Sequence, residues 1–451
     1  MKKIKIIGGG LAGPEAALQA AKRGCEVDLY EMRPTRSTEA HQTSDFAELV
    51  CSNSLKSESE NTAPWLLKQE MRRAGSILLA EADATAVPAG HALAVDRVEF
   101  SKRVAERIAA EPRIRVHREE VTTLDETNPD TLTILASGPL TSAALAGELQ
   151  RLTGSDHLAF YDSISPIVDA STIDMSKVYF AARYDKGTAD YINCPFTKEE
   201  YERFMDALTT AEAVESKDWE KFPVTGTAEK LQYFEGCLPI EETARRGRDT
   251  LRFGPMKPVG LTDPKTGRWP YAVVQLRQEN LRADSYNLVG FQNHLKYGEQ
   301  SRVLKLIPGL ENATFLRYGQ IHRNTYIHAP SLLTESLQLK AHAGIMIAGQ
   351  LSGVEGYTES IASGMLAGIY AASIAKGSVP AIAPRLSANG SLTHYITHAE
   401  TKKFQPANIT FDLLPPLEED LRKKMREKKE RHKLQCDRAL EAWGQWLEAA
   451  S

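Results

Sequence analysis

The sequence has few cysteines and no long apolar run. Its 451 residues include five cysteines, without a CxxC pair or a zinc-like spacing: Cys25, Cys51, Cys194, Cys237 and Cys436. We therefore expect neither a disulfide framework nor a bound metal, and a reducing cytoplasm is the simplest compartment. Because no apolar run reaches the ~20 residues of a membrane helix, we also expect no membrane association.

A secretion signal and a strong net charge are missing as well. The first residues, Met-Lys-Lys-Ile-Lys-Ile-Ile-Gly, lead directly into glycines, whereas a signal peptide has an apolar region and a small-residue cleavage site. We expect these residues to form the first strand. The net charge of −4 gives no global attraction to nucleic acid, so any RNA binding must come from local basic clusters.

A glycine loop follows that first strand. Lys3–Ile7 predicts the strand, Gly8–Gly13 contains GxGxxG, and an alanine-rich helix then leads to a second strand that ends at Glu31. Glycines let a pyrophosphate approach the backbone at a helix N-terminus, while an acid can accept hydrogen bonds from ribose hydroxyls. The loop therefore predicts a dinucleotide site, although S-adenosylmethionine enzymes share it. The candidate cofactor-binding residues here are Gly8, Gly9, Gly10, Leu11, Ala12, Gly13 and Glu31.

A second glycine segment late in the chain favours FAD. The strand-like stretch Gly344–Gly349 runs into Gln350, Gly353 and Gly356 and then into a helix of small residues, Tyr357–Ala375. Many flavoproteins bring a second helix N-terminus to the flavin in this way. The alternative is an ordinary βα unit of the same sheet. Because the chain has one GxGxxG, we expect no separate NAD(P)H domain and only transient binding of NAD(P)H.

The order of elements predicts an α/β protein in three parts. Its Rossmann-type FAD-binding domain is discontinuous and comprises residues 1–165 and 331–380. In residues 166–330 strands and helices no longer alternate regularly, which predicts an inserted α+β domain. Its interface with the FAD-binding domain should form the active cleft. Residues 381–451 predict a proline-marked linker and a charged helix beginning near Leu417.

Longer motifs resemble the folate- and FAD-dependent tRNA (uracil-5)-methyltransferases over nearly the whole chain. One of them reads Phe-Ala-Glu-Leu-Val-Cys-Ser-Asn-Ser-Leu and ends at Leu55. The matching stretches are 46–55, 87–97, 234–241, 252–260, 271–278, 307–312, 318–324 and 348–357. Such long ordered motifs are far more specific than a glycine loop.

The resemblance implies a defined reaction. A one-carbon unit from 5,10-methylenetetrahydrofolate would pass through reduced FAD to C5 of the T-loop uridine (uridine-54) of tRNA, giving 5-methyluridine, and NAD(P)H would re-reduce the flavin. Three alternatives stay open: the same chemistry on a ribosomal RNA uridine, an S-adenosylmethionine-dependent RNA methyltransferase, and a non-catalytic, flavin-stabilised tRNA-binding protein. A related flavoprotein family that modifies the wobble uridine usually has a much longer helical C-terminal domain.

Two cysteines lie in these motifs, Cys51 and Cys237. Uracil C5 becomes nucleophilic only after a group adds to C6, so such an enzyme needs a thiolate that attacks and later leaves. Cys51 is close in sequence to the cation of Lys56, and Cys237 precedes a helix expected to begin at Pro239; both settings favour a thiolate. Which cysteine attacks stays open, and we interpret the other three as structural.

The remaining candidates are bases and cations. The general base that removes the C5 proton could be Glu355, His322, Tyr357 or Glu359. The glutamate tail of folate needs cations, for which the candidates are Arg277, His322 and Arg323. RNA phosphates could be bound by Arg245, Arg246, Arg248 and Arg252, or by the basic run between Arg422 and Lys433. Solvated surface charge is the alternative for both clusters.

Overall fold

The computed structural model describes most of the chain. It describes residues 1–451 except 39, 52, 155–157, 164, 186–187, 215–237, 320, 401–403, 420, 422–424, 426 and 451, and it gives only the backbone of 158–163 and 321–323. Cys237 and part of the basic run in the tail therefore lie outside the described residues, as do the side chains of His322 and Arg323.

Strands and helices alternate in the first part of the chain and again near its end. The strands are β1 (Lys3–Ile7), β2 (Val27–Tyr30), β3 (Ala86–Val87), β4 (Ala94–Val95), β5 (Ile114–His117), β6 (Thr131–Leu135), β7 (Leu158–Ser163), β8 (Ile167–Asp169), β9 (Tyr179–Ala181), β10 (Tyr191–Phe196), β11 (Ala272–Gln278), β12 (Ser285–Leu288), β13 (Phe315–Arg317), β14 (Ile321–Tyr326) and β15 (Ile345–Ile347). The α-helices are α1 (Ala12–Lys22), α2 (Ala63–Ala74), α3 (Ile77–Ala84), α4 (Arg97–Ala110), α5 (Ala143–Thr153), α6 (Lys198–Thr209), α7 (Ile240–Arg245), α8 (Thr250–Phe253), α9 (Tyr297–Leu304), α10 (Ala329–Leu332), α11 (Tyr357–Ala375), α12 (Ala388–His398) and α13 (Lys428–Ala450).

A five-stranded parallel sheet organises the first unit. Its order is β15-β6-β1-β2-β5. From the central strand β1 the chain first adds β2 and β5 on one side, and then adds β6 and β15 on the other side of β1. Ile4 and Ile6 of β1 point to the same face of the sheet and are fully buried. This arrangement confirms the predicted α/β class and Rossmann-type sheet. The reversal of strand order beside β1 creates the crevice in which such sheets bind ligands.

Two glycines allow α1 and α11 to pack backbone against backbone. A Cβ on Gly364 would lie 2.3 Å from the carbonyl oxygen of Ala12, and one on Gly368 would lie 2.4 Å from that of Ala16. No side chain fits in such gaps, so glycine at these positions sets the distance between the two helices. The N-termini of the two helices are thereby held on the same side of the sheet.

The residues between the two parts of the first unit form a second core. An antiparallel sheet of order β13-β8-β12-β11-β10-β9 packs against α6, and Phe196, Phe204 and Phe291 are buried between them. Strand β7 pairs with β14 in a separate ribbon, so the chain leaves and re-enters the first unit through neighbouring strands. The two hydrophobic cores share no residue.

The C-terminal helix packs onto the first unit. Helix α13 begins at Lys428, and Glu419 and Leu421 before it are also helical, close to the expected start near Leu417. Trp443 is fully buried against the first core, and its indole nitrogen donates to the carbonyl of Glu70 at 2.7 Å. Among the described residues, no helix is long and apolar enough to span a bilayer.

Candidate active site

A cleft opens along the carboxyl edge of the parallel sheet. Its walls include the ends of β1, β2 and β6, represented by Ile7, Glu31 and Ala136, together with Gly349 and Gly356 of the segment after β15. It contains about 1190 Å³ of empty space, which includes the solvent at its open mouth. The lining residues predicted from the sequence to bind cofactor are Gly8, Gly9, Gly10, Leu11, Ala12, Glu31, Gly349, Gln350 and Gly356.

The glycine loop combines tight packing with one open face. Gly8 has a φ of +120°, and a Cβ there would lie 2.3 Å from the carbonyl oxygen of Ala136; a Cβ on Gly13 would lie 1.8 Å from that of Gly8. These two glycines keep the strand, the loop and the helix in close contact. Around Gly10, in contrast, a Cβ would meet no atom within 4 Å. The loop thus leaves space where a pyrophosphate would approach the N-terminus of α1.

Glu31 lies at the end of β2 and is held in place by Gly9 and Arg33. Its Oε2 accepts from the Gly9 amide at 2.7 Å, and its Oε1 accepts from the backbone and the Nε of Arg33 at 3.0 and 2.8 Å. Burial alone would raise the pKa of Glu31, but hydrogen bonds and charge from Arg33 outweigh burial and lower it. The carboxylate is therefore ionised, and its remaining lone pairs can accept from ribose hydroxyls.

The second glycine segment places another helix N-terminus at the cleft. Gly356 has a φ of +110° and immediately precedes α11, while the Gly349 amide donates to the Ser363 hydroxyl at 2.8 Å. Gly353 has a different role, because a Cβ there would lie 2.5 Å from the Phe404 ring, and it does not line the cleft. Two helix N-termini, an open glycine surface and an ionised acid suit a dinucleotide such as FAD.

Cys51 is held in the cleft by Tyr357. The Tyr357 hydroxyl lies 2.9 Å from the Cys51 sulfur, accepts from the Cys51 amide at 2.8 Å and can donate to the Cys51 carbonyl at 2.8 Å. Asn53 adds an amide donor 3.4 Å from the sulfur. Burial, then the charge of Cys51, raises the pKa of Tyr357 well above its ordinary value. The phenol therefore keeps its proton, which the carbonyl and the sulfur can share.

The cation that acts electrostatically on this pair is Arg97. The sequence pointed to Lys56, but the Lys56 ammonium pairs with Glu359 at 2.6 Å. Arg97 donates to the Leu49 carbonyl at 3.3 Å and pairs with Glu279 at 3.0 Å. Burial would lower the pKa of Arg97, yet attraction by Glu279 and then by Tyr357 and Cys51 raises it. No spacing in the sequence marks Arg97 for this position.

Two further arginines lie near the pair, one buried and one half-buried. Arg277 is 7% exposed on β11, and Arg317 of β13 donates to the Ala40 carbonyl at 3.2 Å. Burial lowers the pKa of both guanidinium groups, and repulsion by Arg97 lowers that of Arg317 further. The sequence identified Arg277 as a candidate and missed Arg317. Three arginines from α4, β11 and β13 thus concentrate positive charge where the two units meet.

The remaining candidates are distributed around this centre. Strand β14 carries the backbones of His322 and Arg323, and its Asn324 lines the cleft with a buried Oδ1 that has no hydrogen-bond partner among the described atoms. Glu355 accepts from Gln350 at 2.6 Å. Of the proposed bases whose side chains are described, Tyr357 is therefore the one that contacts Cys51.

The candidate RNA-binding arginines lie on and after α7, and acidic residues accompany them. Arg245 pairs with Glu242, Arg248 pairs with Glu202 and lies 2.7 Å from Asp206, and Arg252 pairs with Asp249 at 2.9 Å and stacks on Tyr271. Arg246 is exposed. Because their carboxylate partners offset much of the charge, this face is less positive than the sequence suggests.

Comparison with known proteins gives concordant results. A family model described as "Glucose inhibited division protein A" matches residues 3–378. The chain is 68% identical over 445 residues to a Koribacter versatilis protein named methylenetetrahydrofolate–tRNA-(uracil-5-)-methyltransferase TrmFO, covering 99% of this chain and 98% of that protein. Proteins of the same name from Solibacter usitatus and Enterococcus faecalis are 61% and 53% identical, each with 99% of both chains covered.

The fold also resembles a solved structure. GidA of Aquifex aeolicus, in its form II crystal, aligns with a TM-score of 0.70 at 16% identity and covers 99% of this chain and 73% of that chain. At this identity the likeness concerns the fold alone.

Proposed function

Because the chain belongs to the methylenetetrahydrofolate–tRNA-(uracil-5-)-methyltransferase family, we propose that it transfers a one-carbon unit from 5,10-methylenetetrahydrofolate to C5 of a tRNA uridine, using FAD. The observation that carries the proposal is the 68% identity over 99% of the chain to a relative bearing this name. The cleft supports it, because a cysteine and a dinucleotide-type cradle face the same space. The T-loop uridine is the acceptor that we propose.

The chain provides a cradle suited to FAD. Gly9 and Gly10 would face the pyrophosphate at the N-terminus of α1, and Glu31 would accept from the ribose. The N-terminus of α11, preceded by Gly356, would face the flavin ring and favour negative charge there. When bound and reduced by NAD(P)H, FAD would supply the electron pair that reduces the one-carbon unit to a methyl group.

Cys51 is proposed to act with Cys237 in activating uracil. A thiolate that adds to C6 makes C5 nucleophilic, and the second cysteine would assist, for example by removing the C5 proton. Tyr357 holds the Cys51 sulfur at 2.9 Å and can offer it a proton, while Arg97 provides a positive field that favours a thiolate. Because the phenol keeps its proton, we propose that Tyr357 acts as a hydrogen-bond donor to Cys51 and that the general base is another group.

Folate is proposed to bind through cations near this centre. Arg277 is buried close to Arg97 and Tyr357, and a carboxylate brought to it would offset a charge that burial makes costly. His322 and Arg323 are placed by β14, the strand whose Asn324 lines the cleft. We propose these three residues as contacts of the glutamate tail or pterin of folate.

NAD(P)H and RNA complete the proposed reaction. The reductant would bind transiently at the mouth of the cleft, because the described chain has one nucleotide cradle of this kind. Arg245, Arg246, Arg248 and Arg252 are proposed to contact RNA phosphates, exchanging carboxylate partners for phosphate. A reducing cytoplasm is the proposed compartment.

A labelling experiment tests the reaction. The FAD-loaded protein is incubated with NADPH, unmodified tRNA and methylenetetrahydrofolate labelled in the one-carbon unit, and the tRNA is then mapped by nucleotide. We expect label in 5-methyluridine of the T-loop and none from labelled S-adenosylmethionine. Label from S-adenosylmethionine would overturn the proposal, whereas modification of ribosomal RNA in preference to tRNA would change only the acceptor.

Matched cysteine variants test the thiol chemistry. Cys51→Ala and Cys237→Ala should each abolish transfer while keeping FAD, since neither is in the glycine loop. Cys194→Ala is the control, because Cys194 is fully buried in the second core. Near-normal transfer by both variants would exclude covalent activation of uracil by these residues.

A further inference from the structure

Three potential metal ligands lie together outside the cleft. His394 and His398 are one turn apart on α12, and Glu335 lies in the segment between α10 and β15. None of them lines the cleft. Two histidines at positions i and i+4 share one helix face, which is the spacing with which helices present imidazoles to Zn²⁺. Cysteine spacing gives no sign of this cluster, because its ligands are histidine and glutamate.

The distances suit a single ion. The Nδ1 atoms of His394 and His398 lie 3.5 and 3.8 Å from the same oxygen, Oε1 of Glu335. One donor atom from each of the three side chains lies within 4.8 Å of the other two. Ligands that bind tetrahedral Zn²⁺ at about 2.0–2.1 Å are about 3.3 Å from one another. The donors are therefore almost at the spacing that an ion requires.

The local chemistry is compatible with such an ion. The two imidazoles stack with centroids 4.3 Å apart, so binding one ion requires both rings to rotate about their Cβ–Cγ bonds until the Nδ1 lone pairs converge near Glu335. The three side chains are 39–50% exposed, which leaves room for water as a fourth ligand. Arg385 is the neighbouring cation that opposes binding.

Metal binding would replace the hydrogen bond between His398 and Thr397. Nδ1 of His398 lies 2.9 Å from the Thr397 hydroxyl, which donates its own proton to the Thr393 carbonyl at 2.8 Å. In the metal-free arrangement this nitrogen therefore carries the proton. Metal binding at this nitrogen requires the tautomer in which the other ring nitrogen carries the proton.

We propose that Glu335, His394 and His398 bind one divalent transition-metal ion of the Zn²⁺ class. The ion would tie α12 to the segment that leads into β15 and so fasten the C-terminal part of the chain to the parallel sheet. Two imidazoles and a carboxylate with an open position are a donor set typical of Zn²⁺ and Co²⁺. This proposal does not depend on the proposed methyl transfer.

Cobalt provides the direct test. The full chain, with FAD bound, any affinity tag removed and metal stripped with chelator, is titrated with Co²⁺ and followed by visible absorption and equilibrium dialysis. We expect one equivalent with a low-symmetry d–d band and displacement by Zn²⁺. His394→Ala and His398→Ala should each weaken binding by at least about tenfold. His342→Ala, which removes a histidine elsewhere, is the control and should leave it unchanged.

A gain-of-ligand variant keeps the test independent of folding. Glu335→His replaces the carboxylate by a third imidazole and should retain the Co²⁺ band, whereas Glu335→Gln should weaken it. Zn²⁺ should also raise the melting temperature of the wild type but not of the His394→Ala/His398→Ala double variant. Stoichiometric binding that survives in the double variant, or no bound equivalent in the wild type, would overturn the proposal.

Discussion

Tyr357 and Cys51 show how one hydroxyl can fix a thiol. A single phenol contacts the amide, the carbonyl and the sulfur of Cys51, so the orientation of the side chain is determined from three directions. Because the pKa of Tyr357 is raised by burial, the hydroxyl remains a donor throughout the physiological pH range. The pair works as a unit in which the tyrosine positions the sulfur.

Tyr357→Phe should therefore lower methyl transfer by at least about tenfold while FAD remains bound. The ring is kept, but the sulfur loses its donor, and a hydrogen bond to a charged group is worth about 1.5–3 kcal/mol. Transfer rate, flavin absorbance and the pH dependence of Cys51 alkylation would be measured. Tyr370→Phe is the control, since that buried hydroxyl contacts Ala383 instead. An unchanged rate and alkylation profile in Tyr357→Phe would argue against positioning.

Variants at Gly10 and Gly13 distinguish two roles of the glycine loop, contact with FAD and packing against the strand and helix. Gly10→Ala adds a methyl group where no atom lies within 4 Å, so the protein should fold normally and bind FAD more weakly. Gly13→Val should lose FAD through distortion, because its Cβ would overlap the Gly8 carbonyl. Flavin content and the melting temperature of the apoprotein distinguish the two effects. Full FAD affinity in Gly10→Ala would remove this face from the cofactor site.

Among the elements, α1 and α11 are the pair whose spacing shapes the cleft. Gly364→Val should push these helices apart, because its Cβ would lie 2.3 Å from the Ala12 carbonyl oxygen. We expect a loss of FAD and a fall in stability of about 1–3 kcal/mol, the usual cost of overpacking. Gly147→Ala, in the open interior of α5, is the matched control and should stabilise by up to about 1 kcal/mol. Normal flavin content in Gly364→Val would show that helix spacing does not set the cradle.

Glu70 links three helices and should make their packing depend on pH. From α2 it accepts from the amides of Ala388 and Asn389 at the start of α12, and its carbonyl accepts from Trp443 of α13. Complete burial raises the pKa of Glu70 from 4.5 to about 7, although these donors oppose the rise. The folded protein then holds a proton that the unfolded chain has already released, so stability falls as pH rises between these values.

Glu70→Gln tests this linkage. The variant has no proton to release, so its melting temperature should change less between about pH 5 and about pH 8 than that of the wild type. Glu106→Gln, at an exposed site, should behave as the wild type does. Equal pH dependence in Glu70→Gln and the wild type would mean that other groups dominate.

At the scale of the whole molecule, tRNA binding should depend on the arginines on and after α7. Arg245→Ala/Arg246→Ala/Arg248→Ala should weaken tRNA affinity and flatten its dependence on salt by roughly 0.7–0.9 per lost phosphate contact. Arg151→Ala, on the first unit, is the control. An unchanged slope in the triple variant would make this cluster ordinary solvated surface.

Glycines and apolar patterns in the sequence predicted several helices and strands. They did not predict contacts between residues far apart in the chain. β1 and α11 have the expected bounds because glycines and apolar runs mark their ends, and α1 begins within two residues of the expected position. The hydrogen-bond partner of Cys51 could not be predicted from the sequence, because Tyr357 is 306 positions away in the chain. Lys56 is close to Cys51 in sequence but pairs with Glu359, whereas Arg97 reaches the site through the fold.

That separation also bears on how the protein is made. The cleft needs β1 and α1 from the start of the chain and β15 and α11 from near its end, so a nascent chain cannot complete it until α11 leaves the ribosome. At about 5–20 residues per second, the 306 positions between Cys51 and Tyr357 take about 15–60 s to synthesise. During that interval the N-terminal strands have an unpaired edge beside β6. We therefore expect the chain to take up FAD only after α11 has left the ribosome.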